Sequence, residues 1–134
     1  MPEQLGKDTV DRIIDLVVTG FNERDQQRIE EAVADHLLDR SKFLGSLDFR
    51  ERLQLALSVL PDARLEVDEY MIHGNMFAAK WTISGTHEGE FMGFAGTGKK
   101  VAVRGLSVDL VKEGKVTEHW AFPDLPGLLA DIQG

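Results

Sequence analysis

The side chains best suited to acid–base chemistry lie near the C-terminus, in HWAFPDLPGLL (residues 119–129). Strand alternation there puts Trp120, Phe122 and Asp124 on one face and His119 on the other. A carboxylate set beside two aromatic rings loses hydration, which raises its pKa and makes it a usable general base or acid near neutrality. Asp124 is therefore the candidate catalytic group. A second reading stays open, because Leu125-Pro126 is a good helix start and Asp124 could be its N-cap. His119 would stand about 16 Å from Asp124 in an extended chain, too far to pair with it unless Pro123 bends the strand.

His87 ends a strand face that also holds Phe77, Trp81 and Ile83, so alternation points its imidazole toward the same interior. It is either a substrate contact at the rim of a cavity or a core-edge histidine hydrogen-bonded to a loop carbonyl. The following segment sets Phe91, Met92 and Phe94 among Gly89, Gly93, Gly96 and Gly98, apolar side chains on a pliable backbone that suit either a lid over an apolar cavity or a hydrophobic loop capping the core. Trp81, Phe91, Trp120 and Phe122 are expected to line one apolar pocket. GFAGTGKK (residues 93–100) nearly spells a phosphate-cradling loop. It fails because Lys100 stands where a hydroxyl is needed and a strand-like run, not a helix, follows. Cysteine is absent and the four histidines (36, 73, 87 and 119) show no HxxxH or HxH spacing, so no metal site is expected.

The elements that must position these groups follow from periodicity. The chain has 134 residues, one domain's worth, with 43% hydrophobic and 28% charged residues. Its net charge of -8 disfavours nucleic acid and anionic membranes as partners. No signal peptide or anchor is read at the N-terminus, which makes the cytoplasm the expected address. Val10, Ile13, Ile14, Val17, Val18 and Phe21 keep helical spacing behind Asp8 as a candidate cap. A second helix is expected from Asp25 to Asp35, and a third begins at a Ser46 cap and stops at Pro61. From Ala63 the period becomes two: Leu65, Val67 and Met71 share a face, as do Phe77, Ala79, Trp81 and Ile83. Two more strands join at Lys112-Glu113-Gly114-Lys115. Three helices before an antiparallel meander make an α+β domain.

The segment from Pro61 to Gly134 resembles the SnoaL-like polyketide cyclase family of the NTF2-like superfamily, and the helical first half is compatible with it. The family's GTH-x-G-x-F pattern stands here as Gly85-Thr86-His87-Glu88-Gly89-Glu90-Phe91, and its TGK as Thr97-Gly98-Lys99. The resemblance implies an NTF2-like cone, three N-terminal helices packed in a curved antiparallel sheet around an apolar cavity, in a homodimer. It also implies intramolecular aldol cyclisation without metal or cofactor, with an acid/base aspartate after the last strand that matches Asp124. One departure is Arg40, where members often carry a histidine in an aromatic-Val-Asp-His stretch; Arg40 could serve as a polar contact instead. A limonene epoxide hydrolase-like site is poorly matched by Glu88-Gly89-Glu90 and Trp120-Ala121. A ketosteroid isomerase-like site would use Asp39, but the only tyrosine, Tyr70, alternates away from Leu65 and Val67. The expected ligand is an apolar carbonyl compound contacted by His87, Trp81, Phe91, Met92, Trp120, Phe122, His119 and Arg40. The alternative is a non-catalytic binding or scaffold protein.

Overall fold

The computed structural model describes residues 4–41, 43–45 and 47–134. Helix α1 (Lys7–Asn22) buries Val10, Ile13 and Phe21. Gly6 stands at its N-cap, and Asp8 sits in the first turn, where a carboxylate complements the exposed N–H groups. Helix α2 (Gln26–Glu30) is short; the Asp25 side chain caps it by accepting from the Arg28 N–H. Helix α3 (Phe49–Val59) carries a full capping box between Asp48 and Glu51. Ser46, the expected cap, lies outside the described residues.

The second helix expected as far as Asp35 is cut short, since residues Val33–Asp39 form strand β1. Ala32 and Val33 are buried, but β1 pairs in parallel with a strand about 80 residues further along the chain, a contact no local period reveals. Strands β2 (Arg64–His73), β3 (Met76–Thr86), β4 (Lys100–Lys112) and β5 (Lys115–Pro123) form the antiparallel part. The sheet order is β1-β5-β4-β3-β2, so the sheet is mixed rather than wholly antiparallel. Glu113 and Gly114 both adopt positive φ, the geometry a tight two-residue turn between twisted strands requires. Helix α4 (Leu125–Gln133) follows β5 directly.

Two strands carry one extra residue each, and each inverts its own alternation. In β2, Val67 faces Trp81 and Glu69 faces Lys80, leaving Asp68 unpaired. Beyond it Tyr70 and Ile72 turn to the inner face with Leu65 and Val67, while Met71 is exposed, the reverse of the sequence expectation. In β5, Val111 faces Val116 and Leu110 faces Glu118, leaving Thr117 unpaired. His119 and Ala121 therefore join Val116 on the inner face, and Trp120 and Phe122 point outward. Helices α1, α3 and α4 cover the inner face. Among the described residues no helix is long and apolar enough to cross a membrane.

Candidate active site

Between helices and sheet lies a cavity of about 200 Å³. Its walls are overwhelmingly apolar, from Ile13 and Val17 of α1, Phe49 and Leu53 of α3, Phe77, Trp81 and Ile83 of β3, and Leu125 and Leu128 of α4. Among the described residues, Arg52, Ser107, Asp109 and His119 bring polar side chains to it.

Asp109 and His119 are cross-strand partners on β4 and β5. The His119 Nδ1 is 2.6 Å from the Asp109 Oδ1, and both residues are buried, at 6% and 8% exposure. A carboxylate only accepts, so the proton of this bond sits on Nδ1, and in the neutral imidazole Nε2 then keeps its lone pair. The Phe49 ring meets the imidazole edge-on at 4.9 Å and holds its plane. This is the arrangement of a general base with an orienting carboxylate behind it.

Beside the pair, Asp39 of β1 faces inward at the register of His119 and forms an ion pair with Arg52 of α3, N to O 2.7 Å, both side chains being nine-tenths buried. Burial pushes the Asp39 carboxyl up, but the Ser41 backbone and hydroxyl and the Arg52 guanidinium outweigh it and hold the carboxyl below its ordinary value. Arg52 also donates to the Leu47 carbonyl and stacks on Phe43. Asp39 and Arg52 are thus committed to each other and fix β1 against α3. Tyr70, although inward, donates to Asp11 on α1 at 2.6 Å, so it gives Asp39 no oxyanion donor as an isomerase site would need.

The sequence-derived candidates divide. Trp81 and Phe91 line the cavity, as expected. His119 does too, although alternation had set it on the other face. Trp120 and Phe122 are displaced to the outer face by the Thr117 bulge, Phe122 being 58% exposed. Asp124 is exposed and caps α4, its Oδ1 accepting the Gly127 N–H at 2.9 Å; it is not among the cavity-lining residues. Arg40 points outward and pairs with Glu118. Met92 is exposed at the loop tip. His87 is wholly buried, but within its own loop, where Nδ1 meets the Thr97 hydroxyl at 3.0 Å and its backbone closes a pair of bonds with Lys99 and Gly98. Its ring partner is that hydroxyl rather than the loop carbonyl expected, and His87 is not among the cavity-lining residues. Asp109, Ser107 and Arg52 escaped the sequence reading. A signal existed, since the inner positions of β4 read Val101, Val103, Gly105, Ser107, Asp109, Val111, a polar pair in an apolar row.

Among the described residues no three His, Asp or Glu side chains converge as a metal-ligand set. A family model, the SnoaL-like polyketide cyclase, matches residues 11–132. The chain belongs to that family. The fold is also that of AclR, a putative hydroxylase from Streptomyces galilaeus, at 26% identity and a TM-score of 0.83 over 94% of this chain and 85% of that one. IdmH, a putative polyketide cyclase from Streptomyces antibioticus, is 23% identical with a TM-score of 0.82 over 94% and 99%. TsrD from Streptomyces laurentii is 21% identical with a TM-score of 0.84 over 96% and 98%. Among curated proteins none matches.

Proposed function

We propose that this SnoaL-like protein takes an apolar carbonyl compound into the cavity and catalyses an aldol-type ring closure by acid–base chemistry, with His119 as the base. The observation that carries this is the buried His119–Asp109 pair in a chamber whose walls are mostly apolar. Nε2 removes a proton from the carbon next to a carbonyl, Asp109 stabilises the imidazolium that results, and the enolate carbon attacks a second carbonyl of the same molecule. One carbon–carbon bond forms, and the imidazolium returns its proton to the new alkoxide. The sequence offered Asp124 for acid/base work, with a helix cap as its other reading; on β5 the cavity-lining positions are Val116, His119, Ala121 and Pro123, and of these only His119 can move a proton.

Membership of a cyclase family supports the reaction class, and the apolar lining supports the ligand class. The same scaffold in AclR, described as a putative hydroxylase, is a reminder that fold alone fixes no chemistry. The direct test is proton exchange on a small bicyclic ketone. 2-Tetralone in deuterated water, followed by NMR, should lose its protons next to the carbonyl faster with the protein than without it. A ketone that binds saturably yet never exchanges would favour a binding protein.

The same reading includes a homodimer joined through the outer sheet face. There Leu106 and Phe122 are cross-strand partners, as are Val108 and Trp120, and Leu106, Phe122 and Met71 are exposed.

A further inference from the structure

We propose that the Ser107 hydroxyl holds the substrate's carbonyl oxygen while His119 works on the adjacent carbon, and that Trp81 fixes the hydroxyl for this task. The inference rests on the acid–base reading above and adds to it the group that receives the developing charge.

A serine hydroxyl has one hydrogen to give and two lone pairs to fill. At Ser107 one lone pair is taken by the Trp81 indole, whose Nε1–H donates to Oγ at 2.7 Å. Among the described residues the hydroxyl's own hydrogen has no acceptor, and Ser107 lines the cavity. Receiving a bond on oxygen polarises the O–H and makes it a stronger donor, most of all where water is scarce. Trp81 would serve the protein as an apolar wall without this bond; its polar edge is spent on Ser107.

The placement of the indole is itself specified. Gly105 is the cross-strand partner of Trp81, and a Cβ at Gly105 would fall 2.3 Å from the indole Cζ2. The ring lies where a side chain at residue 105 would be. Any larger residue would drive the indole off Ser107 and into the chamber.

Ser107 and Asp109 share the inner face of β4 two residues apart, about 7 Å along the strand. Facing them on β5 are Ala121 and His119. Ala121 has no atom beyond Cβ, so the space over Ser107 stays open beside the imidazole. A ketone whose α-carbon rests at the imidazole therefore carries its oxygen along the strand toward the hydroxyl. Such a donor matters most in the transition state, when the carbonyl oxygen becomes an enolate.

The experiment uses 2-tetralone labelled with carbon-13 at the carbonyl, bound to the full chain and read by infrared difference spectroscopy, with proton exchange measured in parallel. In the native protein the bound carbonyl stretch should lie below its value in cyclohexane. Ser107→Ala should return it to the cyclohexane value and slow exchange by about 100-fold. Trp81→Phe, which keeps a ring and removes the N–H, should leave an intermediate stretch and slow exchange by roughly tenfold. A bound stretch that is the same in the native protein and in Ser107→Ala overturns the assignment of Ser107. One unchanged by Trp81→Phe overturns the role of the indole. If 2-tetralone does not bind saturably at all, the acid–base reading itself falls, an outcome distinct from a bound but unshifted carbonyl.

Discussion

The His119 imidazole and the Asp109 carboxylate meet at 2.6 Å because the two residues face each other across β4 and β5, with no loop contributing to the contact. Backbone ladder bonds on both strands set the separation before either side chain chooses a rotamer. A base held this way starts each turnover already oriented.

Replacing His119 with Asn should lower 2-tetralone exchange by at least about 100-fold, the scale of a lost general base. Asp109→Asn keeps an oxygen that can accept the Nδ1 proton but removes the charge that stabilises the imidazolium. It should lose exchange while the urea midpoint moves little. Asp109→Ala also strands a buried imidazole N–H and should cost about 1–3 kcal/mol in the same unfolding curve.

Asp124 should behave as a cap. Asp124→Asn should leave stability nearly unchanged, and Asp124→Ala should cost about 1 kcal/mol, since Asn substitutes for Asp at that position and Ala does not. Both variants should keep full exchange activity. A large loss of exchange in Asp124→Asn would return the acid–base role to that residue.

The Asp39–Arg52 pair makes stability pH-dependent on the acid side. Its carboxyl is held below the ordinary value in the fold, so its stabilisation is fully present above the unfolded value of about 3.9 and is lost as pH falls through the folded value. Asp39→Asn should flatten the acid limb of a stability-against-pH curve. Arg52→Ala, which leaves a buried carboxylate without its cation, should cost about 3–5 kcal/mol at neutral pH by chemical denaturation.

The outer face should govern assembly. Light scattering should report twice the 14.9 kDa chain mass at micromolar concentration, and Phe122→Glu, which charges the exposed apolar row, should return it to one chain. Exchange activity serves as the control that the fold persists.

Much of this molecule was readable as residues. The inner faces of α1 and β3, the helix stop at Pro61 and the hairpin at Glu113-Gly114 follow from local spacing, and the structure has them all. Two strands were misread for different reasons. In β2 period-two reasoning assumes an unbroken strand, and the extra residue Asp68 makes Tyr70 and Met71 exchange faces. In β5 the alternation holds, with His119 on the face opposite Trp120 and Phe122, but the aromatic face was taken as the inner one, whereas the Thr117 bulge puts His119 on the inner face with Val116. Nothing local marks Thr117 as unpaired, because its status is settled by which β4 residue lies opposite. β1 was hidden likewise, by a partner supplied from the far end of the chain.

Helix α4 is fastened at both ends, by Asp124 at its start and by Lys99, whose Nζ donates to the carbonyls of Ile132 and Gly134 at its finish. Lys99 closes the same loop that sends Phe91 into the chamber, and Leu125 and Leu128 of α4 stand in the wall with it. Helix and loop are thus tied into one unit, so neither can leave that wall without the other, and loosening the lysine's hold should free both together.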